Sequence, residues 1–183
     1  MAGIGPTGRE VGFSEDDIIV TKTDLKGHIT YANHVFVRVS EYSEAEVLGK
    51  PHNLIRHPDM PGCVFQLLWD TLQQRREIFA YVLNLTKSGG HYWVLAHVTP
   101  SFDLSGNHIG YHSSRRAAYA DALPVVKSLY ARLRGEERKY PSKKEGLGAS
   151  SKLLADLLRQ QGKSYGEFVF GLSRFTGVGV LAA

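Results

Sequence analysis

Apolar and polar positions alternate in a way that divides the first two thirds of the chain into short strands and short helices. Ile18-Ile19-Val20-Thr21-Lys22-Thr23 is β-rich, Asp24-Leu25-Lys26-Gly27 carries turn chemistry, and His28-Ile29-Thr30-Tyr31-Ala32 is β-rich again, which predicts a hairpin. Residues 33–39 and 43–48 read as two short helices, the second with Ser43 as N-cap, Glu46 three residues on, and Gly49 as its stop. Pro51, Pro58 and Pro61 predict an irregular segment. From Cys63 to Arg75, apolar Val64, Leu67, Leu68 and Leu72 recur at helical spacing. Three β-rich runs follow at residues 79–85, 92–102 and 109–115, joined by Lys87-Ser88-Gly89-Gly90 and Asp103-Leu104-Ser105-Gly106-Asn107. Two strands, then helices, then three strands predict an α+β fold in which helices cover one face of an antiparallel sheet.

Beyond the last strand the period changes. Residues 117–138 predict a basic amphipathic helix with Leu123, Val126, Leu129, Tyr130 and Leu133 on one side. Residues 140–148 have linker composition, and Ser150 or Ser151 is expected to cap a further helix through Leu153, Leu154, Leu157 and Leu158. The apolar run 168–183, broken by Arg174 and three glycines, is too short to span a bilayer and is expected to dock on protein.

Composition narrows the function classes. With 183 residues the chain has room for one domain and an appendage, and 43% hydrophobic residues suffice for a packed core. A net charge of +4, from 22 basic and 18 acidic residues, is too mild to predict a nucleic-acid partner. One cysteine, Cys63, excludes an intrachain disulfide and a cysteine-held metal cluster, which suits a reducing cytoplasm. The N-terminus lacks the charged and apolar regions of an export signal, and no run is long enough for a transmembrane helix.

Candidate chemistry is sparse. Eight histidines include no pair at metal-ligand spacing, although a single imidazole could serve a haem. Cys63 follows Gly62 at a helix start, where a thiol can be activated, but no base accompanies it and a structural role is expected. No catalytic residue is assigned. The densest stretch is His52-Asn53-Leu54-Ile55-Arg56-His57-Pro58-Asp59-Met60-Pro61, stiffened by its prolines. Arg56 offers a fork of donors for a phosphate or carbonyl, and Asp59 could accept from a ribose hydroxyl or an adenine amine. Equally, the two side chains could pair and simply fix the loop.

That stretch, with Thr23-Asp24-Leu25, Ile29-Thr30, Ala32-Asn33, Gly49-Lys50-Pro51, Trp69 and His91-Tyr92-Trp93-Val94, resembles the PAS domain of bacterial aerotaxis receptors over roughly residues 20–116. The resemblance implies a PAS fold: a five-stranded antiparallel sheet flanked by short helices, here with a helical C-terminal extension. It divides the chain into an N-terminal leader at 1–17, a PAS sensor domain at 18–116, a connecting helix at 117–139, and a linker with helical tail at 140–183. It also implies non-covalent FAD, supported by Asn33, His52, Arg56, His57, Asp59, Trp69 and Asn84, and no enzymatic turnover. The implied role is that of a cytoplasmic redox or oxygen sensor signalling to a transducer such as a methyl-accepting receptor, with homodimerisation a further possibility. A haem-binding PAS gas sensor and a cofactor-free interaction module are the alternatives. Two departures from the family stand out. A Trp-x-Gly triplet reads Ile78-Phe79-Ala80, so an aromatic expected beside the flavin is missing or displaced to Phe79, and a Lys-Asn-Gly turn reads Lys87-Ser88-Gly89. Light-sensing LOV relatives need a cysteine in a different motif, so no blue-light adduct is expected at Cys63. The absence of membrane, HAMP and signalling parts reads either as a piece of a longer receptor or, given the non-matching tail, as a free-standing sensor subunit.

Overall fold

A computed structural model describes residues 5–172. It contains a five-stranded antiparallel sheet and six α-helices. The strands are β1 (Ile19–Thr23), β2 (Ile29–Ala32), β3 (Ile78–Leu85), β4 (His91–Phe102) and β5 (His108–Ala117), in the order β2-β1-β5-β4-β3. Between β2 and β3 lie α1 (His34–Ser40), α2 (Glu44–Val47), a 3-10 turn at His52–Ile55, and α3 (Gly62–Gln73). After the sheet come α4 (Leu123–Glu137), α5 (Lys143–Gln160) and α6 (Tyr165–Leu172). The apolar segment expected at 168–183 falls partly in α6, and residues 173–183 lie outside the described residues.

Contacts divide these elements into two compact units. One comprises the residues up to Pro58 together with Thr71–Ala117, and the other Asp59–Asp70 with the chain from Ala118 onward. In the first unit the register gives the sheet its faces. Thr21 opposes Ser113, Ile19 opposes Arg115, Ala96 opposes Arg115, and Asn84 opposes Tyr92. Because side chains alternate along a strand, one face carries Ile19, Thr21, Ala80, Val82, Asn84, Tyr92, Val94, Ala96, Ser113 and Arg115. Ile19, Phe36 of α1, Val47 of α2 and Ile55 are fully buried. α1 starts where it does because the Asn33 side chain accepts from Phe36 N (3.0 Å), and α2 because Ser43 and Glu46 form the predicted capping box.

Residues 7–11 of the N-terminal leader flank the sheet. Thr7 N donates to Gly89 O, Val11 N to His91 O, and His91 N back to Arg9 O, each at 2.8 Å. Gly90 permits this approach, since a Cβ there would stand 2.9 Å from a Val11 methyl.

In the second unit α4 and α5 form a helical hairpin. α4 begins at Leu123, with Pro124 in its first turn, rather than at residue 117. α5 begins at Lys143, capped by Ser142, whose hydroxyl accepts from Glu145 N. Residues 143–148, expected as linker, are therefore helical. Gly146 has a packing reason: a Cβ there would lie 2.5 Å from the Glu137 carbonyl oxygen, so the helices cross there backbone to backbone. Ser150, expected as a cap, sits inside α5 and donates to the Glu137 carboxylate at 3.1 Å. That carboxylate also accepts from Cys63 N (3.2 Å) and Arg134 Nη1 (2.7 Å), so it holds the start of α3 as well.

Candidate functional site

A sheet face buried against helices is normally apolar, yet this one carries a polar island assembled from β1, β3, β4 and β5. Its centre is Arg115, 3% exposed. Nε donates to Ser113 Oγ (3.0 Å), and Nη2 donates to Thr21 Oγ1 and to His52 Nε2 (2.6 Å). The Phe36 ring lies 5.9 Å from the guanidinium carbon. A guanidinium only donates, so His52 Nε2 accepts and the imidazole is neutral with its proton on Nδ1. Burial, and then the Arg115 charge, hold His52 well below the usual histidine range. Burial also pulls Arg115 down to about 10, so the guanidinium stays protonated at neutral pH.

Three polar atoms of this island are buried without a hydrogen-bond partner: Arg115 Nη1, Asn84 Nδ2 and the Tyr92 hydroxyl. Burial pushes the Tyr92 hydroxyl up, with the Arg115 charge and the nearby Asn84 amide opposing it, so the phenol is neutral. Buried polar groups are rarely left unpaired because each costs about 1–3 kcal/mol. Three on one face make this island the candidate site.

Of the expected site residues, His52 and Asn84 belong to this island. Arg56 and Asn84 form a backbone bridge that ties the loop to the end of β3, and the buried His57 ring meets the His91 ring edge-on at 5.9 Å. Asn33 stands at the entry to α1 with its amide fully engaged: Oδ1 accepts from Val20 N and Phe36 N, and Nδ2 donates to Ile18 O. Asp59 and Trp69 belong to the second unit, where the exposed Asp59 carboxylate lies 3.4 Å from Arg138 and Trp69 is half-buried on α3.

Arg115, Thr21 and Tyr92 escape a reading of the sequence as chemistry. Only the register brings them to the face of Asn84, although the spacing of Ser113 and Arg115 at i, i+2 signals that they share one. Phe79 cannot replace the missing aromatic. It lies an odd number of residues from Asn84, on the opposite face, where it stacks on His97 (centroids 4.1 Å apart, planes at 4°). Cys63 is no activated nucleophile, since burial pushes its thiol up to about 11. No group of three or more metal-ligating side chains occurs among the described residues.

Comparison with known proteins agrees with this fold. A family profile for the PAS fold matches residues 29–114. The aerotaxis receptor of Escherichia coli (strain K12) is 39% identical over 127 residues, 69% of this chain and 25% of the receptor. A nitrogen fixation regulatory protein of Klebsiella pneumoniae is 33% identical over 89 residues, 49% of this chain and 18% of that protein. The chain thus spans a quarter or less of these relatives. Among solved structures, the light state of the blue-light photoreceptor Aureochrome1 LOV superposes with a TM-score of 0.54 over 63% of this chain and 91% of that one, at 18% identity, a likeness of fold.

Proposed function

Since the chain carries a PAS domain similar to that of the aerotaxis receptor, we propose that it binds FAD non-covalently and serves as a redox sensor for a signalling partner. The observation that carries this reading is the set of unpaired buried atoms on the sheet. The oxidised flavin ring presents two carbonyl oxygens flanking a ring N–H. Asn84 Nδ2 and Arg115 Nη1 supply donors for the carbonyls, and the Tyr92 hydroxyl can accept from the N–H or donate. When bound, the flavin supplies reversible electron transfer, which the side chains here cannot. Arg56, His57 and Asp59 are proposed for the diphosphate, ribose or adenine, and Trp69 for an aromatic contact. His52 is positioned by Arg115 and completes the polar wall.

The domain is proposed to work in the cytoplasm without turnover of its own, passing its state through the chain after β5 to a transducer. No helix among the described residues is long and apolar enough to cross a membrane. The test is the absorption spectrum of the purified protein, with chromatography of the cofactor released on denaturation. The flavin band pair with released FAD supports the reading, whereas a Soret band assigns haem and a colourless protein that takes up no added FAD leaves an interaction module. Arg56→Ala and Asp59→Ala are each expected to lower flavin per mole of protein, by about 1–3 kcal/mol of lost charge-assisted bonding.

A further inference from the structure

We propose that Arg115 takes its missing acceptor from the bound ligand, so that the ligand-free domain folds around a cation it does not itself neutralise. Every partner of the guanidinium is neutral: the Thr21 and Ser113 hydroxyls, the His52 imidazole and the Phe36 ring. Tyr92, whose hydroxyl interacts electrostatically with Arg115, is held as a phenol by burial. No carboxylate pairs with Arg115 among the described residues, and Nη1 has no acceptor while the residue is 3% exposed. A cation withdrawn from water without an anion destabilises the fold that holds it. The arrangement is therefore one in which stability has been given up at a binding surface, to be recovered when an electron-rich ring edge reaches Nη1. That the ligand is a flavin rests on the function proposed above, whereas the uncompensated charge rests on Arg115 and its neighbours alone.

The neighbours can close over the gap when the guanidinium is removed. Thr21 Oγ1 already lies 3.1 Å from His52 Nε2 and can donate to it, which satisfies the acceptor that Arg115 would vacate. The experiment compares wild type, Arg115→Met, Arg115→Gln and Arg115→Lys, each stripped of ligand and then titrated with FAD, by thermal denaturation and by equilibrium binding. Stripped Arg115→Met and Arg115→Gln are expected to melt above stripped wild type, by about 2–4 °C or more. Arg115→Lys, which keeps the charge, should gain nothing. With FAD the order reverses: binding weakens at least tenfold in the Met and Gln variants and is partly retained in Lys. If the Met and Gln variants both melt below wild type when stripped, Arg115 is a structural bolt and the inference is overturned. If wild type gains no stability from FAD, the flavin reading fails instead, and the ligand-free melts still decide the question of charge.

Discussion

Asn33 is where a ligand role and a structural role can be told apart by one substitution. Asn33→Ala removes three side-chain hydrogen bonds: the cap on Phe36 N (3.0 Å), the bond from Val20 N (3.0 Å) and the bond to Ile18 O (2.8 Å). Loss of an Asn cap costs about 1 kcal/mol. The half-buried Val20 N–H loses its acceptor for about another 1 kcal/mol, while the Ile18 carbonyl, at an exposed position, turns to water at little cost. A total of about 2 kcal/mol lowers the melting temperature by about 4–8 °C for a chain of this size. Asn33→Asp keeps the accepting oxygen and loses only the bond to Ile18, so it should recover most of that fall. The assay is thermal denaturation followed by circular dichroism, with flavin measured per mole of folded protein at a temperature where each variant is fully folded. Flavin per folded molecule is expected to be unchanged in both. An Asn33→Ala protein as stable as wild type but empty of flavin would refute this reasoning and put the side chain on the ligand.

Three further outcomes are expected. Gly146→Ala should destabilise the helical hairpin by about 1–3 kcal/mol, because its Cβ would press on the Glu137 backbone, whereas Gly148→Ala in the same helix meets nothing within 4 Å and should stabilise it by about 1 kcal/mol; denaturation of the pair, read from the helical signal, must give opposite signs. Glu41 has its carboxyl lowered from 4.5 to about 2, chiefly by the Ser88 hydroxyl and then by Arg9, so its contribution is present above about pH 4.5 and is lost as pH falls toward 2. Glu41→Gln should flatten stability across that window, and parallel acid limbs for the two proteins would contradict the assignment. Finally, reduction of the bound flavin is expected to change hydrogen exchange in residues 121–133, with the response lost in Asn84→Ala; identical profiles would send the search for the output to the segment before Ile18.

The sequence makes visible those features that neighbouring residues decide. The hairpin of β1 and β2, the Ser43–Glu46 capping box and the i, i+3, i+4 apolar face of α3 all follow from residues a few positions apart, and each lies where local chemistry puts it. Features decided by distant partners are not visible in the same way. Arg115 and Arg116 look alike in a Ser-Ser-Arg-Arg run, and only pairing with β1 and β4 sends the first onto the buried face. Gly146 and Gly148 likewise read as a linker, because composition cannot report that a carbonyl from α4 waits opposite one of them. The candidate site is split on the same principle. His52 and Asn84 are reached as site residues by the resemblance, whereas Thr21 and Arg115 are ordinary strand residues until the register brings them together, and Tyr92 stands in a resembling motif without a role until it does.

The strand order has a consequence for how the protein is made. β5 lies between β1 and β4, so the amino-terminal hairpin has no sheet to join until the last strand is available. The bond from Arg115 to Thr21 spans 94 residues. At ribosomal speeds of about 5–20 residues per second, the first two strands wait roughly 5–20 s, exposing Ile19 and Ile29 to whatever else is nearby. The same late arrival delivers Arg115, so the polar island comes into being in the step that completes the sheet. A nascent chain halted before β5 emerges would carry most of the residues of the family signature and still lack Ser113 and Arg115, the centre of the polar island. A complete polar island is thereby confined to molecules whose synthesis has passed the end of the sheet.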